Sequence, residues 1–408
     1  MNDALIPILT KLLQQYGNGL CTDTRRLKAF LSDLASGCKR ESNALIQAAD
    51  CRISQELAQQ ASSKLDVFAY NNFVQRLMNE TSITHDAAEW AVRAWATALN
   101  KQLPPNVPLS QQTPKVESAA VSKTTAPTDL GVTAEQKRLL DIMLNPQYLP
   151  QERATAGREI NKIGDPRPGV GLRPDGLPDI VWCEVPAGEF IYQKDERVTL
   201  PAFHIAKYPV TYKQFQAFID APDGFSNATW WDGLHEDGLQ DQRGGPGEQR
   251  FKFWNHPRER VSWYDALAFC RWLTDQLDCT IMLPTEEQWE KAARGTDGRE
   301  YPFSGEFDPT KGNTAESGIG QTSAVGVFPD GASPYGVMDM SGNVWEWTLT
   351  EYETRNYGTV NSNNARVLRG GSWRNTQYLA RSTYRLHNDP TERSSSNGFR
   401  VALPFRPF

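Results

Sequence analysis

The sequence predicts an α+β protein built from an N-terminal helical bundle, a flexible linker and a C-terminal domain with little regular secondary structure. Residues 1–100 repeat apolar side chains at helical spacing, whereas residues 101–130 lose their large apolar residues. Residues 131–178 predict a helix followed by an arm rich in glycine and proline. Over residues 179–408, short apolar stretches alternate with turn residues, which is typical of short strands and loops.

Composition excludes several functional classes. The formal net charge is −6, so no overall basic field predicts nucleic-acid binding. No apolar run approaches the roughly 20 residues of a membrane span. The first residues, MNDALIPILTKLL, lack a basic region and a cleavage site, and the six cysteines form no CxxC pair. We therefore expect a cytoplasmic protein with reduced thiols that binds neither membranes nor nucleic acids.

The N-terminal bundle is predicted from five segments of helical periodicity. Thr22 or Asp23 can cap the second segment, and Thr84 begins the last, which carries Trp90 and Trp95. A lone imidazole cannot form a metal site, and the bundle contains a single histidine, His85. We therefore expect a docking or regulatory module that contacts a second protein.

The linker is predicted from its composition. Proline, serine, threonine, glutamine and alanine dominate residues 101–130. Such segments are flexible and partly extended, in the manner of polyproline. We expect this tether to let the two ends of the chain move independently.

Three helix starts are predicted in the C-terminal domain. Thr211 precedes a helical segment, Ser262 is followed by Asp265 three residues later, and Thr285 precedes two glutamates. A hydroxyl at the N-cap with an acid in the first turn stabilises a helix start. These acids are therefore expected to cap helices rather than to perform chemistry.

The end of the chain, residues 366–408, contains two motifs separated by an irregular segment. GGSW occupies residues 370–373 and GFR occupies residues 398–400. The residues between them show no helical or strand period, yet they are rich in arginine and tyrosine. These side chains supply many of the strongest contacts at interfaces, so the segment predicts a recognition surface. A solvated coil before a last strand is the alternative.

A series of motifs in residues 180–404 resembles one known family. VPAGEF, YPVTYKQFQAFI, VSWYDALAFCRWL, LPTEEQWEKAARG, SPYGVMDMSGNVWEWT, RVLRGGSW and NGFRVA occur in this order. Together they are similar to the formylglycine-generating-enzyme, or sulfatase-modifying, domain. The resemblance implies a C-type-lectin-like fold with little regular secondary structure, two helices and small antiparallel sheets.

The enzymes of this family use metal sites that the sequence lacks. The resemblance implies a cysteine pair shortly after GGS for formylglycine formation, but no cysteine follows Cys279. A second branch, the sulfoxide synthases, requires a three-histidine iron site. The five histidines here are scattered along the chain, at positions 85, 204, 235, 256 and 387. We therefore expect no enzymatic activity, and an oxidase or synthase is the least favoured alternative.

The end of the chain is most similar to the variable proteins of diversity-generating retroelements. RGGSW, ARS at residues 380–382 and NGFRV carry this resemblance. It implies a hypervariable cassette, here residues 374–397, in which adenines of a template copy are mutated. Most residues of the cassette can arise from asparagine codons by adenine replacement, and lysine and methionine are absent from it. Gln377 and Glu392 cannot arise in this way.

The resemblance assigns roles to individual residues. The predicted ligand-binding residues are Arg374, Asn375, Thr376, Tyr378, Leu379, Tyr384, Leu386, His387, Asp389, Thr391 and Arg393. The predicted scaffold residues are Gly370, Gly371, Trp373, Arg381, Phe399 and Arg400. We expect the two scaffold arginines to pair with acids such as Glu346 or with backbone carbonyls, because arginine suits partly buried pairs.

The expected ligand is a protein surface, because a spread of variable side chains covers an area rather than lining a pocket. No cofactor is expected, although calcium is possible near GNVWEW, where Asn343 and Glu346 offer oxygen ligands. A fixed sensor or accessory domain of the same fold, without a diversified cassette, is the main alternative.

Overall fold

The chain divides into two compact units, Met1–Val116 and Glu117–Phe408. The computed structural model describes residues 3–34, 38–60, 63–65, 67–81, 83–103 and 132–404. Apart from residues 101–103, the predicted linker at 101–130 lies outside the described residues. Within the described ranges, no helix has both the length and the apolar character needed to cross a membrane.

The N-terminal unit is helical, as predicted. Its described helices are α1 Leu5–Tyr16, α2 Thr24–Leu34, α3 Lys39–Asp50, α4 Ile53–Gln59, α5 Val67–Thr81 and α6 His85–Ala98. Asp23 accepts a hydrogen bond from the backbone N–H of Arg26 at 2.9 Å, so Asp23 rather than Thr22 caps α2. Helix α6 packs against α1, α3, α4 and α5. The Trp95 side chain is fully buried and donates to the carbonyl of Leu45 at 3.1 Å.

The C-terminal unit contains six described α-helices within residues 132–404. They are α7 Ala134–Leu144, α8 Pro150–Ile163, α9 Tyr212–Asp220, α10 Glu236–Gly244, α11 Trp263–Leu277 and α12 Glu286–Arg294. The three predicted helix starts are confirmed. Thr211, Ser262 and Thr285 each accept the backbone N–H of the third residue of the helix and complete a capping box.

The helical part of residues 131–178 consists of two helices, whereas the sequence predicted one helix before the glycine- and proline-rich arm. Helices α7 and α8 form an antiparallel hairpin, since Asn145 and Pro146 interrupt the helical run and Pro150 begins a new one. The hairpin buries Met143 and Ile160 against Ala324, Val327 and Phe328. It is therefore part of the core of the C-terminal unit.

Short strands form three small sheets. The strands are β1 Trp182–Val185, β2 Gly188–Tyr192, β3 Glu196–Leu200, β4 Phe203–Ala206, β5 Trp345–Glu351, β6 Arg366–Arg369, β7 Leu386–Asn388, β8 Asn397–Phe399 and β9 Ala402–Pro404. One sheet has the order β1-β4-β9, β2 and β3 form a hairpin, and the third sheet has the order β7-β6-β5-β8. Only β5 and β8 pair in parallel among these described strands. The mixed helices and short strands confirm the predicted α+β class.

An aromatic cluster fixes the end of the chain in the core. Phe399 follows the irregular cassette and is fully buried. Its ring meets Phe269 edge-on at 5.4 Å and Phe215 at 6.0 Å between centroids. Edge-to-face packing of this kind stabilises a core beyond the area that it buries.

Candidate functional site

The predicted cassette, residues 374–397, joins the end of β6 to β8 by an irregular path. It contains one 3-10 turn, Gln377–Ala380, and the short strand β7. Arginine side chains and backbone hydrogen bonds from the rest of the unit hold this path in place. The N–H groups of Arg260, Trp263 and Trp345 donate to the carbonyls of Ser394, Pro390 and Ser396 at 2.7–3.0 Å. The cassette is therefore an ordered surface.

Two glycines provide the entry to the cassette. Gly370 and Gly371 have φ of +94° and +75°, which side-chain-bearing residues rarely adopt. A Cβ atom on Gly371 would lie 3.0 Å from the Cα of Ala380, and one on Gly370 would lie 3.0 Å from the Trp289 ring. These positions require glycine for conformation and for space.

Trp373 immediately precedes the cassette, and its side chain packs against residues that lie before and after it in the chain. Its ring meets Phe251 edge-on at 5.5 Å, and its Nε1 donates to the carbonyl of Ser395 at 3.3 Å. The loop that carries Phe251 is held in turn by Glu259, whose Oε1 accepts the Phe251 N–H at 2.6 Å. Burial raises the pKa of Glu259 to about 7.

Arg369 anchors the middle of the cassette, although the sequence did not single it out. Its side chain is fully buried and donates to the carbonyls of Ser382, Thr383 and Tyr384 at 2.7–3.1 Å. It also pairs with Glu290. One guanidinium thus fixes three consecutive backbone groups, so the neighbouring side chains are displayed from a rigid base.

Glu290 connects this anchor to other parts of the unit. Its carboxylate accepts hydrogen bonds from Arg294 at 3.0 Å and from the backbone and side chain of Gln193 at 2.5 and 2.6 Å. The charge of Glu290 is therefore compensated by two buried guanidinium groups, as a buried carboxylate requires. The motif LPTEEQWEKAARG supplies both Glu290 and Arg294.

A second ion pair, between half-buried Arg385 and buried Glu286, holds the cassette near its midpoint. Arg385 donates to both carboxylate oxygens of Glu286, at 2.7 and 3.0 Å. Its guanidinium lies 4.8 Å from the centre of the Tyr352 ring. The ring of His387, two residues further on, stacks on the same Tyr352 ring at 4.0 Å between centroids.

The two predicted scaffold arginines differ in their environments. Arg400 is fully buried and donates to Glu346 at 2.6 and 2.7 Å, so the predicted pairing is present. Arg381 pairs instead with Glu300 at 2.5 Å and lies over the Tyr378 ring at 4.7 Å. Its side chain is 38% exposed. Arg381 therefore belongs to the surface as much as to the scaffold.

The exposed part of the cassette is a group of aromatic and charged side chains. Tyr378 is 55% exposed and meets Tyr384 edge-on at 5.6 Å. Tyr384 in turn lies 5.9 Å from Trp345, again measured between ring centroids. Of the predicted ligand-binding residues, those exposed are Arg374, Thr376, Tyr378, His387 and Asp389, and those half-buried are Asn375, Leu379, Tyr384, Leu386, Thr391 and Arg393.

Arg393 differs from the exposed members of the predicted ligand-binding set, because its guanidinium has buried partners. Its guanidinium donates to both oxygens of the buried Asp265 at 2.7 and 2.9 Å and to the carbonyl of Gly245 at 3.0 Å. These contacts satisfy the charge and help to hold the cassette in place, and a role of Arg393 in ligand binding stays a prediction. Asn375 is also engaged, since its Oδ1 accepts the Ser372 hydroxyl at 2.5 Å and its carbonyl accepts the Ala315 N–H at 2.9 Å.

The residues proposed for calcium are occupied by other partners. Both oxygens of Glu346 bind Arg400, and one also accepts the indole N–H of Trp289 at 2.7 Å. The Oδ1 of Asn343 accepts the Ser323 N–H at 3.0 Å. A cation placed here would meet a guanidinium, so these two residues do not fit a calcium site. Within the described residues, no three of His, Cys, Asp and Glu form a metal-binding group.

Comparison with known proteins agrees with the motif order. The family model of the sulfatase-modifying factor enzyme 1-like domain matches residues 174–404, more than half of the 408-residue chain. Inactive C-alpha-formylglycine-generating enzyme 2 of Bos taurus is 34% identical over 248 residues, covering 50% of this chain and 78% of that protein. Hercynine oxygenase of Mycolicibacterium smegmatis is 30% identical over 282 residues, covering 57% and 64% respectively.

Among solved structures, Treponema denticola variable protein 1 is 21% identical, with a TM-score of 0.43. The similarity covers 55% of this chain and 95% of that chain. The relatives thus include a protein named as inactive and a protein named as an oxygenase. Family membership alone therefore leaves the activity open. The match over residues 174–404 shows that this chain belongs to the family of the sulfatase-modifying factor enzyme 1-like domain.

Proposed function

We propose that this protein is a non-enzymatic binder whose cassette, residues 374–397, presents a recognition surface diversified by a retroelement. One observation carries the proposal. The backbone of the cassette is fixed by buried groups, whereas several of its side chains project into solvent. This division lets exposed residues change while the path of the chain is kept, which is what a variable recognition surface requires.

The exposed side chains suit a protein partner. Exposed Tyr378 and half-buried Tyr384 offer large aromatic area with few rotatable bonds, and Arg374 and His387 offer hydrogen-bond donors. Arg374 is exposed, so its guanidinium is accessible to a partner. A rigid base reduces the entropy that is lost when such a surface binds.

Against catalysis stands the chemistry of the chain itself. The segment after GGSW contains no cysteine, and the Glu346 carboxylate accepts hydrogen bonds from Arg400 on both oxygens. An oxidase or synthase would need metal ligands from elsewhere. A metal-content measurement on the purified protein that finds stoichiometric copper or iron would favour that alternative.

A fixed sensor of the same fold remains the second candidate function. It would use the same exposed side chains on one constant ligand. The N-terminal helical unit would then couple binding to a second, intracellular protein, as it would in the diversified binder. A near-copy of codons 366–402 beside the gene separates the two candidates, because only the diversified binder requires it.

The capacity of the surface for change can be tested directly. A displayed library of the full chain is randomised at four exposed cassette positions, Arg374, Thr376, Tyr378 and His387. Its members are selected for binding to lysozyme. We expect most sampled members to keep the thermal unfolding temperature of the parent, and selected members to bind. A matched library randomises four positions that are also exposed, at the turn of the β2–β3 hairpin: Lys194, Asp195, Glu196 and Arg197.

Two results would contradict the proposal. The cassette library could lose folded protein more often than the hairpin library, which would show that the surface side chains support the fold. Alternatively, both libraries could yield binders of the same frequency and affinity, in which case the cassette would hold no advantage for recognition.

A further inference from the structure

The tip of the α7–α8 hairpin exposes three large apolar side chains. Leu144, Tyr148 and Leu149 are 40%, 40% and 62% exposed. Together they account for half of the large hydrophobic residues that are this exposed among the described residues. Single exposed apolar residues are common, but a group of three on one turn is typical of an interaction site.

The tip is an ordered turn. Asn145 accepts the Gln147 N–H on its side chain at 2.9 Å and the Tyr148 N–H on its carbonyl at 3.2 Å. The N–H of Leu149 donates to Glu152 at 2.8 Å, which closes the start of α8. These bonds fix the backbone of the turn from which Leu144, Tyr148 and Leu149 are exposed.

A short series of hydrogen bonds links the tip to the start of the cassette. Gln151, two residues after Leu149, donates to the carbonyl of Ser317 at 2.7 Å. Ser317 ends the 3-10 turn Ala315–Ser317, which contacts the cassette twice. The Ala315 N–H donates to the Asn375 carbonyl at 2.9 Å, and Glu316 accepts the Gln377 N–H at 2.9 Å. The tip and the start of the cassette therefore flank the same turn.

From this continuity we propose that Leu144, Tyr148 and Leu149 form a constant apolar anchor, covered by the same partner protein that binds the cassette. The inference rests on the proposed function. A standard interface buries about 800 Å² on each partner and is thus about 30 Å across, so a partner that covers the shared turn Ala315–Ser317 would extend beyond this turn on both sides. The anchor would supply affinity through apolar burial, and the cassette would supply specificity.

The chemistry of the surface defines the partner. It is a folded protein with an apolar cleft that receives Leu149 and an acidic group beside it that meets Arg374. A constant cleft would explain how a changing cassette keeps a common affinity for related targets. Removal of the anchor should therefore weaken binding to every target of one class, whereas a change in the cassette should alter the choice among targets.

Site-specific photo-cross-linking tests the anchor in the full chain. Benzoylphenylalanine is placed at residue 149, at residue 378 in the cassette, or at residue 163. Ile163 is the matched control, because it is also exposed but ends α8, about 20 Å from Leu149 at 1.5 Å per residue. After irradiation in the cells that carry the gene, mass spectrometry identifies the cross-linked peptides.

We expect positions 149 and 378 to capture neighbouring peptides of one protein. Position 163 should capture no peptide of that protein. Capture from 378 without capture of the same protein from 149 would overturn the anchor and leave the cassette as the binding site. Capture from 149 of a second copy of this chain, or of another part of the same chain, would also overturn it. Failure at both positions would contradict the anchor and the proposed function together.

Affinity gives an independent measure once the captured protein is purified. We expect Leu149→Ser to weaken binding at least about tenfold, as loss of a central apolar contact does. Ile163→Ser, the same kind of change at the other end of α8, should alter binding less than twofold. Equal affinities of wild type and Leu149→Ser would refute the anchor.

Discussion

Loss of the Arg400 guanidinium should destabilise the C-terminal unit far more than loss of the Arg381 guanidinium. Arg400→Met removes both hydrogen bonds to Glu346 and further donors to the carbonyls of Ala206 and Met338, at 3.0 and 2.8 Å. The Glu346 carboxylate would stay buried with the indole of Trp289 as its remaining described partner.

The magnitude follows from burial. Breaking a fully buried ion pair by removing one partner costs about 3–5 kcal/mol, because an uncompensated charge is left behind. Arg381 and Glu300 are 38% and 51% exposed, and an exposed pair of this kind contributes about 0.2–1 kcal/mol. Arg381→Met is therefore the matched control, with the same substitution in a solvent-screened pair. Arg400→Lys, which keeps the charge but loses the two-pronged contact, should fall between them.

Hydrogen exchange measured by mass spectrometry reports this difference within the full chain. Since each 1.4 kcal/mol is a factor of ten, amides of β5 should exchange about a hundredfold to a few thousandfold faster in Arg400→Met. If Arg400→Met and Arg381→Met changed β5 exchange equally, the role assigned to the buried pair would be wrong.

Three further outcomes follow from the site. Gly371→Ala should destabilise the unit by more than about 1 kcal/mol relative to Gly320→Ala, measured by chemical denaturation, because both have positive φ but only the first is crowded. Glu259, whose folded pKa lies above its ordinary value, should contribute stability that is full below pH about 4.5 and lost as pH rises through about 7. Glu259→Gln should therefore reduce the loss of unfolding free energy over that pH range, by at most about 1.4 kcal/mol per pH unit. Glu248→Gln, a control at an exposed position, should leave this pH dependence unchanged. Millimolar calcium should not shift the thermal unfolding temperature, because Glu346 is held by a guanidinium; a saturable upward shift would contradict this.

Local signals in the sequence predicted much of the fold. Thr211, Ser262 and Thr285 identified helix starts because a capping box is complete within four residues. The glycines before Trp373 and the buried Phe399 were found through motifs that lie close together in the chain. Such features need no knowledge of distant contacts.

Other features depend on residues that meet only in the folded chain. Arg393 looked like a surface residue because its partner, Asp265, precedes it by 128 positions. Arg369 and Glu290, separated by 79 positions, gave no sign of a shared role for the same reason. Leu149 lies in a segment that the sequence predicted as one continuous helix, yet the turn at Asn145 interrupts that helix and leaves Leu149 exposed. Charge pairing and exposure are therefore tertiary properties that periodicity does not reveal.

The division between a fixed path and a changeable surface is the central claim, and the gene itself tests it most directly. The locus is sequenced in sibling isolates, and the neighbouring DNA is searched for a near-copy of codons 366–402. We predict substitutions at adenine-templated codons of exposed residues such as Arg374, Tyr378 and His387, with Arg369 and Gly371 unchanged. An invariant cassette without a near-copy, or substitutions spread evenly over buried and exposed positions, would contradict the claim.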